Sequence, residues 1–110
     1  MIHIHPKFQF HQGATPTLVF DLPPGLDPAP MTFTVTFAQR FRTVLQLTGP
    51  GPQLWLQDGR LLLHLTAADT QLLAVGDVDA QIHYENADRS VADSSCICYG
   101  RVLRRQEVTV

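Results

Sequence analysis

The sequence has few charged residues and no long apolar run. Only 16% of its 110 residues are charged, the net charge is −2, and the one basic cluster is Arg101 with Arg104 and Arg105. Such a chain has no positive field to hold a polyanion, so we expect no nucleic-acid partner. No apolar stretch approaches the roughly 20 residues of a membrane helix, and no charged-then-apolar leader opens the chain. We therefore expect no membrane partner and synthesis in a cytoplasm.

Cysteine is scarce, since the chain has only Cys96 and Cys98. Side chains two residues apart on a strand are separated by about 7 Å along the chain, which strains a disulfide. We expect free thiols that fill the core, because unpaired cysteine is among the most buried residue types. A redox or metal-binding pair is the alternative.

Apolar residues make up 45% of the chain, and Pro and Gly recur at short intervals. A chain of this length buries roughly two-thirds of its unfolded surface as one domain, so we treat residues 1–110 as a single domain. Between the Pro and Gly residues, apolar and polar side chains alternate, most clearly in 31–39, where Phe33, Val35 and Phe37 alternate with threonines. Alternation of this period predicts half-buried strands. The other predicted strands are 2–10, 17–22, 43–47, 54–57, 60–65, 78–84 and 94–103.

Two local signals refine this pattern. Asp58-Gly59 tolerates the positive φ angles of a two-residue hairpin turn. Thr66 and Asp69 have the spacing of a capping box, which predicts a short helical crossover over residues 66–73. We expect Leu72 and Leu73 to close one end of the fold. Seven or eight short strands with one such crossover predict an all-β, antiparallel β-sandwich.

The sequence carries no catalytic motif. There is no G-x-S-x-G, and residues 49–52 lack the lysine and the backbone N–H groups that a phosphate loop needs. Ser94 and Ser95 are interpreted as turn residues or cross-strand hydroxyls. We predict a protein that is not an enzyme and has no cofactor or metal. A zinc site is the weakest alternative, because nothing fixes a complete ligand set; its candidate residues are His3, His5 and His11, with His64 and His83 as further histidines.

Several residues are candidates for protein contacts. Trp55 is interpreted as a core residue or as part of a face covered by another subunit. Phe41 with Arg40 and Arg42 forms either an exposed patch of the types that anchor interfaces or the start of a core strand. The ends at 1–7 and 104–110 alternate and can add to a partner's sheet edge. The predicted contact residues are Ile2, Ile4, Arg40, Phe41, Arg42, Trp55, Arg104, Arg105 and Val108.

A second functional hypothesis is a carbohydrate- or ligand-binding sandwich. In that hypothesis Trp55, Tyr84 and Tyr99 form an aromatic stacking platform. These residues come from strands far apart in sequence, at positions that the alternation places mainly inward.

The C-terminal half carries an ordered series of motifs. It consists of L-T-x-x-D-T-x-x-L at 65–73, then Gly76, a strand at 78–82, Ser94, and a final strand closing on 102–103. This order resembles small proteins encoded among the structural genes of tailed phages and prophages. The resemblance covers roughly residues 8–105 and is looser in the N-terminal part, where it consists of Gly13, the strand at 31–39 and the Asp58-Gly59 hairpin. It is similar in element order to the immunoglobulin-like N-terminal domains of phage upper-baseplate proteins.

The resemblance implies an immunoglobulin-like β-sandwich that serves as a virion structural protein without catalysis. Its expected partners are other phage structural proteins and copies of itself, in a tail, baseplate, neck or capsid. Its expected location is the virion, after synthesis in the bacterial host cytoplasm.

Overall fold

Two β-sheets pack face to face, with one short helix in the connection between them. The computed structural model describes residues 2–3, 7–22, 25–88, 90–94 and 97–105. The helix α1 (Ala67–Leu72) lies between β7 and β8. The strands are β1 (Ile2–His3), β2 (Lys7–His11), β3 (Thr17–Asp21), β4 (Thr32–Gln39), β5 (Arg42–Gly49), β6 (Leu54–Gln57), β7 (Arg60–His64), β8 (Gly76–Glu85), β9 (Ala92–Ser94) and β10 (Cys98–Leu103).

The strand order is that of an immunoglobulin-like sandwich. The smaller sheet has the order β1-β3-β7-β6, and the larger one has the order β2-β10-β8-β4-β5, with β9 also paired to β8. With β3, β6 and β7 as strands B, D and E, and β4, β5, β8 and β10 as C, C′, F and G, each strand lies in the sheet expected of that fold. The predicted fold class is confirmed.

The sheets are mixed, whereas the prediction was an antiparallel arrangement throughout. β1 pairs parallel to β3, and β2 pairs parallel to β10. The predicted strand over 2–10 is therefore two strands in different sheets, with β2 at the edge of the larger sheet. Alternation assigns a residue to a face but does not identify the neighbouring strand, so it could not predict these pairings.

The predicted strand over 94–103 also divides in two. In the pairing with β8, Ser94 of β9 lies opposite His83, and Cys98 of β10 lies opposite Ala80. Ser94 and Cys98 are four residues apart, whereas His83 and Ala80 are three residues apart. The register of β9 against β8 therefore differs by one residue from that of β10 against β8. Cys98 packs half-buried against the core, as expected of a space-filling thiol, and Cys96 lies outside the described residues.

The core and one hairpin follow the predicted pattern. Phe33, Val35 and Phe37 are fully buried and share one cluster with side chains of the other sheet. Asp58 and Gly59 have φ angles of 53° and 75°, and they join β6 to β7 as a two-residue turn. Positive φ at both positions is the geometry that matches the twist of the flanking strands.

The helix α1 begins with the predicted capping box. The Asp69 backbone N–H donates to Thr66 Oγ1 at 3.2 Å, and the Thr66 N–H donates to Asp69 Oδ2 at 2.9 Å. Leu73 is buried, but Leu72 is 61% exposed, so the expectation that both leucines close the fold is wrong. Leu72 is the last helical residue, whereas Leu73 is the C-cap with an extended backbone (φ −87°, ψ 131°), so the two adjacent side chains project to different sides.

Candidate functional site

The β4–β5 hairpin presents a fully exposed phenylalanine, Phe41, at its tip. Gln39 pairs with Arg42, so Arg40 and Phe41 alone form the turn, with φ angles of 50° and 64°. These left-handed conformations favour Gly or Asn and cost other residues about 1–2 kcal/mol each. The structure therefore places Phe41 in the exposed patch and not in a core strand. Neither its conformation nor its exposure is explained by the folding of a single chain, which marks the turn as a candidate interaction site.

Two glutamine side chains hold the segment after α1 beside this hairpin. Gln39 Nε2 donates to the Ala74 carbonyl at 2.8 Å, and the Ala74 N–H donates back to Gln39 Oε1 at 2.9 Å. The same amide also donates to the carbonyl of Asp77 at 3.2 Å. Gln12 Nε2 donates to the Leu73 carbonyl at 2.7 Å. Hydrogen bonds thus fix the base of the hairpin to the segment after α1. We call these hydrogen-bonded segments the framework, and the tip of the hairpin projects from it.

The chain segments on either side of this framework complete one end of the molecule. The Gln12 N–H donates to the Leu103 carbonyl at 2.9 Å, and Thr70 Oγ1 donates to the Ala14 carbonyl at 2.9 Å. A β-carbon at Gly13 would lie 3.6 Å from Arg105 Cδ, which places that arginine beside the same loop. We call residues 12–14, 39–42, 72–77 and 103–105 the arginine end. Its exposed side chains include Arg40, Phe41, Arg42, Leu72, Val75, Arg104 and Arg105.

The arginine end carries four exposed arginines against one exposed carboxylate, Asp77, and is therefore positively charged, although the chain as a whole carries a charge of −2. Within the described part of the chain, the ion pairs are Arg60 with Asp21 at 3.4 Å and His83 with Glu85 at 3.6 Å. Neither pair involves the four exposed arginines of this end. Guanidinium groups without an intramolecular carboxylate remain available to an acidic partner.

The structure brings Arg40, Phe41, Arg42, Arg104 and Arg105 together and separates the other predicted contact residues from them. Trp55 lies half-buried on the outer face of the smaller sheet, opposite Leu62, and its Nε1 donates to Gln57 Oε1 at 3.3 Å. The interpretation of Trp55 as a core residue is wrong, because its neighbours in β6 are the ones that face inward. For the predicted arms, Ile2 pairs with Leu18 inside the protein's own sheet, and Ile4 and Val108 lie outside the described residues.

The proposed aromatic platform does not form. Tyr84 is buried, with its ring centroid 6.4 Å from that of Phe33. Trp55 and Tyr99 belong to strands of different sheets. Tyr99 is exposed and borders an open groove of about 1010 Å³ on the larger sheet. The groove is lined by Lys7, Phe8, Gln9, Asp77, Val78, Asp79, Tyr99, Gly100 and Arg101.

Sequence reasoning missed this groove because its walls come from three strands that are distant in sequence. Tyr99 lies opposite Lys7 on one side and opposite Asp79 on the other. The first of these pairings depends on the parallel contact between β2 and β10, which no local pattern signals.

A serine, a histidine and a carboxylate lie in series on the exposed face of β8 and β9. Ser94 Oγ lies 3.1 Å from His83 Nδ1, and His83 Nε2 lies 3.6 Å from Glu85 Oε2. Catalytic triads also need a water-excluding cleft and donors for an oxyanion. These three side chains follow from strand register alone, since Ser94 is directly opposite His83 and Glu85 is two residues further along. Ser94 is thus the cross-strand hydroxyl that the sequence predicted, and we assign no chemistry to the series.

The histidines are dispersed in the described part of the chain. His64 Nδ1 lies 3.1 Å from Thr17 Oγ1 in the smaller sheet, whereas His83 belongs to the larger one. His3 lies in β1, and His5 is outside the described residues. Among the residues that the structure describes, no group of three or more His, Cys, Asp or Glu is placed to hold a metal ion.

Comparison with known proteins assigns no family. No protein-family model matches the sequence, and no curated protein is significantly similar to it. None of the helices in the described ranges is long and apolar enough to span a bilayer. Since one fold serves many functions, the function has to be argued from the arginine end and the groove themselves.

Proposed function

We propose that this chain is a structural protein of a phage or prophage particle that binds neighbouring virion proteins through its arginine end. The observation that carries the proposal is the full exposure of Phe41, held between Arg40 and Arg42 in a left-handed turn. Aromatic and arginine side chains dominate the binding energy of protein interfaces. The turn is therefore best explained as a contact site.

The energetics of this turn favour a partner. Removing a phenylalanine side chain from water is worth about 1.5–3 kcal/mol. The two left-handed residues together cost roughly 2–4 kcal/mol. Burial of the ring against a partner offsets most of this cost, and an exposed ring offsets none of it. Because the hydrogen bonds of Gln39 fix the base of the hairpin, little chain entropy is lost on docking. A complex thus offsets a conformational cost that the isolated monomer bears in full.

The resemblance to virion proteins gives the proposal its biological setting. Its central motif, residues 65–73, forms the capped unit that links β7 to β8 and carries the Ala74 contact to the hairpin. The motif thus belongs to the base of the arginine end. This position supports the proposal that this chain and the virion proteins it resembles use the same surface for binding.

The proposal is tested by following the protein into particles. A tagged copy is expressed in the source bacterium, its phage or prophage is induced, and particles are purified on a density gradient. We expect the tagged protein to be found in the particle fractions. A protein that remains entirely in the soluble fractions contradicts the proposal.

The role of the turn is tested by Phe41→Ala, with Ile97→Ala as a matched control because Ile97 is also an exposed apolar residue. We expect Phe41→Ala to reduce incorporation at least tenfold and Ile97→Ala to leave it unchanged. Thermal unfolding of both variants shows that the fold is intact. Equal incorporation of the two variants would exclude the hairpin as the contact.

A second candidate function, a glycan-binding module, is favoured by the groove beside Tyr99. An exposed tyrosine ring can stack on a pyranose, and the mixed charges of Lys7, Asp79 and Arg101 can bond to its hydroxyl groups. Screening on a glycan array tests this function, with Tyr99→Ala expected to abolish binding and Tyr99→Phe to retain it. Binding that survives Tyr99→Ala contradicts this assignment.

A further inference from the structure

The charges of the exposed loops differ between the two ends of β8. Its first residue, Gly76, belongs to the arginine end, and its last residue, Glu85, pairs with Thr32 at the start of β4 and with Ala92 of β9. A strand of this length, ten residues, extends over roughly 30 Å. The loops that adjoin Glu85 are thus well separated from Phe41.

These distant loops carry exposed carboxylates next to exposed apolar side chains. We call residues 26–30, 85–88 and 90–93 the acidic end. These ranges contain three exposed carboxylates, Asp27, Asp88 and Asp93, and the half-buried Glu85, which pairs with His83. In the sequence one basic residue, Arg89, lies between the last two ranges, so the acidic residues outnumber it. The exposed apolar residues include Pro30 and Val91.

Local hydrogen bonds give the acidic end a defined shape. The Asn86 N–H donates to the Val91 carbonyl at 3.0 Å, and the Val91 N–H donates to Asn86 Oδ1 at 3.1 Å. The Ser90 N–H donates to Asp88 Oδ1 at 2.9 Å, and this bond holds the pKa of the Asp88 carboxyl below its ordinary value. The loop therefore presents Val91 beside an ionised carboxylate.

We propose that copies of this chain associate head to tail, with the arginine end of one copy docked on the acidic end of the next. Complementary charge selects this pairing, because two arginine ends or two acidic ends would repel each other. In the contact, Phe41 packs against Val91 and Pro30 of the next copy, and Arg40 and Arg42 pair with its carboxylates. The inference rests on the proposed function, whose expected partners include copies of the same chain.

A head-to-tail contact leaves one free arginine end and one free acidic end on every growing assembly. Such contacts close into rings or continue as filaments, according to the rotation between neighbouring copies. Both outcomes are symmetric assemblies of the kind that phage tails and capsids contain.

The experiment uses two variants, each with one end disabled, measured by sedimentation velocity. Arg40→Glu with Phe41→Ala disables the arginine end, and Asp88→Lys with Asp93→Lys disables the acidic end. We expect the wild type to form species larger than a monomer that dissociate in high salt, and each variant alone to be monomeric. An equimolar mixture of the variants should form a heterodimer and no larger species, because each copy retains one functional end.

Gln46→Glu is the control, since Gln46 is an exposed residue of β5 outside both ends and outside the groove; it should assemble like the wild type. Circular dichroism confirms that all variants are folded. A wild type that is monomeric at millimolar concentration overturns the head-to-tail contact, as do variants that still self-associate or a mixture that stays monomeric. If any of these results is obtained but the wild type is still incorporated into particles, the proposed function is supported and the head-to-tail contact is excluded. The arginine end would then bind a different virion protein.

Discussion

The ring of Phe8 occupies the space that a side chain at Gly100 would need. The two residues are direct partners in the parallel pairing of β2 with β10, and a β-carbon built on Gly100 would lie 2.4 Å from two carbons of the ring. Phe8 also stacks on Phe10, with ring centroids 6.0 Å apart and an interplanar angle of 15°. Gly100 therefore allows a buried aromatic pair to join the edge strand β2 to the rest of the core.

Gly100→Ala should destabilise the fold by about 1–3 kcal/mol, the usual cost of forcing extra volume into a packed core. The measurement is the free energy of unfolding in urea. Gly51→Ala is the matched control, because the nearest atom to a β-carbon there, the Thr48 carbonyl oxygen, lies at 3.9 Å. If the two variants unfold with equal free energies, the Phe8 ring does not limit residue 100.

The adjacent leucines at the end of α1 should respond very differently to truncation. Leu73 is fully buried in the core cluster, so Leu73→Ala should cost about 2–5 kcal/mol. Leu72 is exposed, and Leu72→Ala should change the free energy of unfolding by less than about 0.5 kcal/mol. The free energies of unfolding of the two variants are measured in urea, and each variant serves as the control for the other. A large loss of stability in Leu72→Ala would show that this side chain is covered in the protein in solution.

Asp69 should make the stability of the fold depend on pH in the acidic range. Burial alone raises the pKa of its carboxyl, but hydrogen bonds from the Thr66 N–H and the Gln53 amide outweigh that effect and hold the pKa below its ordinary value of 3.8. Since the folded pKa is depressed, the stabilisation is complete above pH 3.8 and is lost as the pH falls through the folded pKa.

Asp69→Asn should therefore lower the free energy of unfolding at pH 7 and have a smaller effect near pH 2, where the carboxyl of the unfolded chain is protonated and part of the stabilisation has been lost. Thr66→Ala, which removes the other half of the capping box, should cost about 1 kcal/mol at pH 7. Urea unfolding at the two pH values measures both effects. An Asp69→Asn effect that is the same at both pH values would mean that the carboxylate charge is not what stabilises the cap.

The features that could be predicted from the sequence are those set by neighbouring residues. The alternation of Phe33, Val35 and Phe37 fixed a buried strand face, Asp58-Gly59 fixed a hairpin turn, and Thr66 with Asp69 fixed a helix start. Each depends on side chains that are at most four residues apart. Local residue preferences are therefore sufficient to predict these elements without knowledge of distant contacts.

The features that escaped prediction depend on distant pairings or on a turn without its usual residues. The groove at Tyr99 requires β2 to lie parallel to β10, a contact between the two halves of the chain. The turn at Arg40 and Phe41 has the backbone of an Asn-Gly turn without either residue. Its sequence therefore fitted an exposed patch and a core strand equally well. A departure from local preference of this kind is expected where a surface is kept for function.

Replacing Arg40-Phe41 by Asn-Gly should separate the stability of the hairpin from its function. Both new residues favour the left-handed conformation, so the double variant should gain roughly 1 kcal/mol in the free energy of unfolding, after allowance for the greater entropy of glycine in the unfolded chain. Because the Phe41 ring is fully exposed, its removal costs no intramolecular packing that would reduce this gain. Incorporation into particles should fall at the same time, since the aromatic contact is gone. Urea unfolding together with the gradient assay measures both effects, and a variant that is more stable yet still incorporated would show that strain at the turn serves some purpose other than docking.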